Sequence, residues 1–320
     1  MTNKNRSMTM LILGSTAVSS IAMINKYIQV SATSKNLLEC PKSLCYKWRL
    51  GNIHYTKTGN GKPLLLIHDL TAISSGYEWE QLIHPLSEYY TVYNIDLLGC
   101  GRSEKPNMTY TNYLYVQMIS DFIRSVIGRR TDVAACGSAS ALALMACASN
   151  SELFDQLLFI NPDSLHTCSQ MPGRSAKLYK FILDIPVLGT LIYHISTGKK
   201  TIRQMFTEGY FENPFSAKRT MIDAYYEAAH LGGSPKSVYA SVTCNYTKCN
   251  IVDALKKIDN SIYLLGSSAI DGMEERLEEF KRYNPAIETA LLDNGKHLPH
   301  LEFPNEVLDM MKTFLYQRSI

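Results

Sequence analysis

The chain has 320 residues, 46% hydrophobic and 19% charged, enough to bury one large core or two modest ones and too polar for a multispanning membrane protein. Its 32 Lys and Arg against 29 Asp and Glu leave a formal charge of +3 with no dense basic run, so nucleic-acid binding has no electrostatic support. The eight cysteines form no C-x-x-C pair and several sit in apolar stretches, so buried free thiols are expected rather than a disulfide framework or a zinc site.

Lys4 and Arg6 precede residues 8–24, which carry no charge before Lys26. A spanning helix needs at least about 17 apolar residues, and Ser, Thr and Gly dilute this run. It reads as a signal-anchor or a signal peptide, with Val30-Ser31-Ala32 permitting cleavage, against the alternative of an amphipathic helix packed on the domain. Residues 1–45 are therefore expected to be a targeting or anchor segment with its linker, giving membrane attachment through residues 8–24, with secretion or a cytoplasmic location as alternatives.

Strands are expected at 46–50 and 53–58, then, after the turn Gly59-Asn60-Gly61-Lys62-Pro63, at 64–67. The unbroken aliphatic run Leu64-Leu65-Leu66-Ile67 suits a strand covered on both faces. Further strands are expected at 91–95, 132–136, 156–160, 261–265 and 288–292, with helical periodicity at 113–127 and 139–147 between them. Strands alternating with helices predict an α/β fold with a mostly parallel, doubly wound sheet. Residues 163–257 interrupt that alternation and predict a helical lid, inserted between two parts of one core at 46–162 and 258–320. The lid's many tyrosines read as packing or rim first and as a substrate wall second.

Four segments carry chemistry-bearing patterns, in this order: Leu66-Ile67-His68-Asp69-Leu70; Asp96-Leu97-Leu98-Gly99-Cys100-Gly101-Arg102-Ser103; Val133-Ala134-Ala135-Cys136-Gly137-Ser138-Ala139-Ser140; and Asn294-Gly295-Lys296-His297-Leu298-Pro299-His300-Leu301-Glu302-Phe303-Pro304. A nucleophile elbow between a strand and a helix needs small residues around the nucleophile, because a larger side chain collides in the strained turn. Centred on Ser138, the third segment has Cys136 and Ser140 two residues away on either side, all small. Anchored on Gly137 as first glycine, it has Ala139 at its centre and no nucleophile; Ser140 is a further candidate.

Together these segments resemble the α/β-hydrolase superfamily over residues 46–318. The resemblance implies a hydrolase of the esterase type with Ser138 as nucleophile, His297 as general base and a carboxylate to orient it. Asp271, after the strand at 261–265, is the first choice for that carboxylate, and Asp163, after the strand at 156–160, is the alternative. Backbone N–H groups of Ala139 and Leu70 would meet the oxyanion. The implied substrate is a small, partly apolar carbonyl compound, with no metal or organic cofactor. The sequence also departs from the family pattern, with Asp69 where glycine is usual, a degenerate elbow, and Ala269 where an aspartate is common. These departures carry the rival expectation, a hydrolase-fold binding or scaffold protein without chemistry.

Overall fold

The computed structural model describes residues 3–316, with side chains from 15 to 315. Eight strands form one sheet: β1 (Ser43–Trp48), β2 (Gly51–Thr58), β3 (Lys62–Ile67), β4 (Tyr90–Ile95), β5 (Thr131–Cys136), β6 (Phe154–Ile160), β7 (Ser261–Ser267) and β8 (Glu288–Leu292). Their order is β1-β2-β4-β3-β5-β6-β7-β8, antiparallel at β1/β2 and β2/β4 and parallel from there on. The aliphatic run in β3 explains its central place. Leu65 and Ile67 join the core on one face of the sheet, Leu64 and Leu66 join the core on the other, and all four are fully buried.

The sheet is flanked by α2 (Glu80–Ser87), α3 (Asn112–Phe122), α4 (Ala139–Ser149), α12 (Met273–Tyr283), α13 (Pro299–Glu302) and α14 (Pro304–Tyr316). The helix expected over 113–127 runs on from α3 through a π-turn at Ile123–Ile127 and stops at Gly128, whose φ of 68° supplies the left-handed cap. Between β6 and β7 the described residues are helical and contain no strand: α5 (Leu165–Cys168), α6 (Arg174–Asp184), α7 (Leu188–Ser196), α8 (Lys199–Gln204), α9 (Arg219–His230), α10 (Pro235–Thr243) and α11 (Val252–Leu255).

The N-terminal segment is helix α1 (Asn3–Thr33). Lys4, Arg6 and residues 8–14, on which part of the anchor expectation rests, lie outside the described side chains. Toward its C-terminal end α1 docks on the body: Asn25 Nδ2 donates to the Val187 carbonyl at 3.0 Å, Gln29 Nε2 to the Gly232 carbonyl at 2.9 Å, and Ala32 is buried. Among the described residues no single helix is long and apolar enough to cross a membrane.

The turn after β4 is organised by buried Asp96. Its Oδ1 accepts the Gly76 N–H and Arg102 Nη2, and its Oδ2 accepts the Arg102 N–H and Nε, at 2.7–2.9 Å. Burial alone would raise the Asp96 carboxyl, but Arg102 outweighs it and holds the group well below the ordinary carboxylate range. Asp96→Ala leaves the Arg102 charge unpaired in a largely buried site, and a loss of about 3–5 kcal/mol is expected in chemical denaturation. A loss below about 1 kcal/mol would mean that the turn is held by its backbone alone.

Candidate active site

The carboxyl ends of β3, β5, β6, β7 and β8 converge, as parallel strands bring their C-terminal loops to one edge. Leaving β3, buried His68 donates from Nδ1 to the Asp69 carbonyl at 2.7 Å and accepts the Leu97 N–H on Nε2 at 2.9 Å, which fixes its tautomer and the loop. Asp69 follows, 5% exposed, with its N–H donated to Glu78 Oε2 at 2.9 Å.

β5 ends in the elbow, and its geometry fixes the register. The strained, positive-φ residue is Gly137 at 54°, whereas Ser138, with φ −69° and ψ −20°, is already in ordinary helical conformation. An elbow nucleophile stands on the strained residue of the turn, so that position is held by glycine and Ser138 is one residue past it. A Cβ added to Gly137 would lie 2.5 Å from Asp69 Oδ1 and 2.6 Å from its Cγ. The Asp69 carboxyl thus fills the space an elbow side chain would occupy.

Asp69 Oδ1 accepts both the Ser138 N–H at 2.8 Å and the Ser138 hydroxyl at 2.9 Å, and Oδ2 pairs with His297 Nε2 at 2.9 Å. Ser138 and His297 are therefore brought together through Asp69, each bonded to a different oxygen. Burial would raise the Asp69 carboxyl, but His297 and the Ser138 donors bring it down to about 2. Burial would lower the His297 imidazole, but the same partnership raises it above its ordinary 6.5. Each partner thus favours the charged form of the other, carboxylate on Asp69 and imidazolium on His297.

The remaining expected residues fall elsewhere. Ser140 is buried and its hydroxyl turns back to the Ala135 carbonyl at 3.5 Å. Asp271 is exposed in the turn before α12 and does not meet His297; the loop carries it outward. Asp163 is bound by Lys248 Nζ at 2.5 Å, so its charge is already answered from the helical insertion. The backbone groups expected to meet an oxyanion also fall differently. With the strained residue at 137, the N–H that follows it belongs to Ser138 rather than Ala139, and Leu70 meets the site through its carbonyl, 3.5 Å from Ser138 Oγ.

Asn161 and Tyr210 help to hold the site and carry no pattern of their own in the sequence, whereas Glu302 belongs to the His297 segment. Asn161, at φ 46°, donates to the carbonyls of Lys296 and His297 at 2.7 and 3.3 Å, and its Oδ1 accepts the Ser267 N–H at 2.8 Å. It ties the histidine loop to the ends of β6 and β7, and asparagine tolerates the left-handed conformation this needs. Glu302 accepts the N–H groups of Glu212 and Asn213 at 2.8 Å, fastening the helical insertion to the His297 segment. That insertion contributes Tyr210, whose ring stacks on His297 with centroids 5.2 Å apart.

Beneath Asp69 lies a second buried group. Burial, then the Asp69 charge, pushes the Glu78 carboxyl up to about 8, and burial brings His300, stacked on Trp79 at 4.6 Å, down to about 3. Glu78, Cys136 and His300 bring an oxygen, a sulfur and a ring nitrogen within 4.8 Å of one another, a donor set of the kind a divalent metal takes.

A profile of the Alpha/beta hydrolase family matches residues 64–310. A 2-hydroxy-6-oxo-6-(2'-aminophenyl)hexa-2,4-dienoic acid hydrolase of Metapseudomonas resinovorans is 31% identical over 110 residues, 32% of this chain and 35% of that protein. The soluble epoxide hydrolase of Corynebacterium sp. (strain C12) is 46% identical over 54 residues, 17% of this chain and 18% of that protein. The matched stretches thus take in about a third or less of those relatives' own lengths. Among solved structures, the epoxide hydrolase CorEH without ligand superposes with a TM-score of 0.68 at 22% identity, over 86% of this chain and 98% of that one, which is a likeness of fold.

Proposed function

Because the chain belongs to the Alpha/beta hydrolase family, we propose that it is a hydrolase whose nucleophile is Asp69, delivered from the loop after β3 into the space that an elbow side chain would fill. The observation that carries this reading is the Asp69 carboxylate itself, lying 2.5–2.9 Å from where a Gly137 Cβ would stand and bonded to both Ser138 and His297. A carboxylate held down to about 2 is ionised at neutral pH, as a nucleophile must be.

A carboxylate nucleophile suits a strained or activated saturated carbon, and the name of the Corynebacterium relative favours an epoxide. Asp69 forms a C–O bond to one ring carbon while the ring C–O bond breaks, and the leaving alkoxide takes the proton from the His297 imidazolium. The product of this step is an alkyl ester of Asp69 beside a neutral imidazole. Ester formation removes the charge that raised His297, so the ring becomes a free base when water has to be activated. Water adds to the Asp69 Cγ as His297 takes its proton. The oxyanion forms beside the Ser138 N–H and hydroxyl, already directed at Oδ1. Collapse breaks the bond between Cγ and the ester oxygen, which takes the proton of the added hydroxyl, and releases the diol with the carboxylate and imidazolium restored. The resting proton of His297 ends on one diol hydroxyl, and the two protons of water restore the imidazolium and complete the other.

The serine-esterase reading draws support from Ser138 Oγ donating to a carboxylate that also binds His297. Against it, Ser138 lies one residue past the strained position, and a carboxyl near 2 is a poor base for an alcohol. Treatment with a fluorophosphonate probe separates the two readings. Asp69 chemistry expects no Ser138 adduct in the intact-mass spectrum, and a loss of 4-nitrophenyl acetate turnover in Ser138→Ala no larger than the factor of about 10²–10³ that loss of one oxyanion donor costs. Stoichiometric labelling lost in Ser138→Ala restores the serine mechanism. A binding module without chemistry is the remaining reading, favoured by glycine at the elbow position, and it expects turnover of neither probe class.

A further inference from the structure

The end of α1 that packs on the body meets the corner between α6 and α7. At that corner Leu188 N–H bonds the Pro186 carbonyl at 2.7 Å around Val187, whose φ of 64° and ψ of −57° describe a γ-turn strained for a β-branched residue. Asn25 of α1 caps the Val187 carbonyl. The three helices are thus one continuous piece of surface.

That surface is apolar where it faces outward. On α1, Val18, Met23, Ile24, Tyr27 and Val30 are 50–74% exposed, and residues 15–24 are exposed apart from half-buried Ile21. On α6, Leu178 and Phe181, one turn apart, are 62% and 67% exposed; on α7, Leu188 and Ile195, two turns apart, are 44% and 66% exposed. A helix of 31 residues is about 46 Å long, and among its described side chains the contacts with the body lie toward the C-terminal end. Residues 15–24 belong to a sequence stretch, 8–24, without a charge.

Charge points to the same occupant. Residues 174–236 hold nine Lys and Arg against five Asp and Glu, whereas the rest of the chain holds 23 against 24. Arg174, Lys177 and Lys200 in that stretch are exposed. Apolar side chains with long basic ones around them suit an anionic bilayer, in which the former enter the acyl boundary and the latter reach phosphate.

We infer that α1 together with the outer faces of α6 and α7 forms one bilayer-seated surface, so that the helical insertion which places Tyr210 over His297 rests on lipid. The inference stands apart from the chemistry assigned to Asp69.

The test uses the full-length protein with vesicles of phosphatidylglycerol and dibrominated phosphatidylcholine. Native Trp48 and Trp79 are 7% and 0% exposed, so an added indole is read against a shielded background. Phe181→Trp on α6 and Tyr27→Trp on α1 are both expected to shift to the blue and lose most of their emission to the brominated lipid, while Tyr283→Trp on α12 is not. Replacing Arg174 and Lys177 by Glu is expected to weaken vesicle binding about tenfold at low salt and less at high salt. Quenching at Tyr27→Trp alone would overturn the proposal, since α1 would then insert with the insertion lifted clear. So would equal quenching at all three sites, or no quenching together with concentration-dependent dimers in light scattering, which would make the face a contact between copies.

Discussion

Asp69→Asn is expected to lower turnover of styrene oxide, or of whichever epoxide the protein hydrolyses fastest, by at least about a thousandfold while leaving the fold intact. The amide keeps an oxygen for the Ser138 N–H and fits the same space, so a change in melting temperature is expected to be modest beside the kinetic loss. Wild-type protein after a single turnover in ¹⁸O-labelled water should carry the label in the peptide that contains Asp69, because water adds to the Asp69 carbonyl carbon and the alcohol leaves with the original carboxyl oxygen. Label found only in the product would remove Asp69 from the nucleophile's role. An Asp69→Asn variant with wild-type turnover would do the same.

His297→Gln should stop both steps. Without the imidazolium the ring-opened alkoxide has no proton donor, and without the neutral ring water has no base, so turnover should fall at least about a thousandfold with little ester accumulating on Asp69. The pH profile of the wild type carries the sign. The first step needs the imidazolium, and Asp69 raises its pKa above 6.5 against the opposing effect of burial. The kcat/KM for the epoxide is therefore expected to hold on the acid side and to fall as pH rises through that raised value; at the acid limit it fails only as Asp69 protonates near about 2. A serine hydrolase shows the reverse slope, since its histidine must be neutral to accept a proton. Stability follows the same pair. The Asp69 contribution is present above its ordinary 3.8 and lost as pH falls through about 2, and the His297 contribution is present below 6.5 and lost as pH rises through its raised pKa. A kcat/KM that climbs through the neutral range would contradict the ion-pair cycle.

The sheet and the four loops that matter are legible in the sequence. Aliphatic runs such as Leu64-Leu65-Leu66-Ile67 can satisfy both faces only in a central strand, and the order of His68, Asp96, Gly137 and His297 places each at a strand end. His297 was legible because its flanking Gly295, Glu302 and Pro304 form a pattern, and the insertion was legible because strand signals stop after residue 160. The partner of His297 was not. Asp271 and Asp163 were reasonable from position along the chain, but which carboxylate reaches the ring depends on loop paths: one is carried outward, and the other is taken by Lys248. The elbow register turned on a single backbone torsion, the 54° φ of Gly137, which glycine adopts without cost and which small residues on either side of it cannot reveal. In the sequence Asp69 reads only as a departure where glycine is usual. Only tertiary structure decided that its carboxyl enters the space vacated by the missing elbow side chain, because the contact joins the end of β3 to the end of β5 and its electrostatics come from His297, 228 residues away.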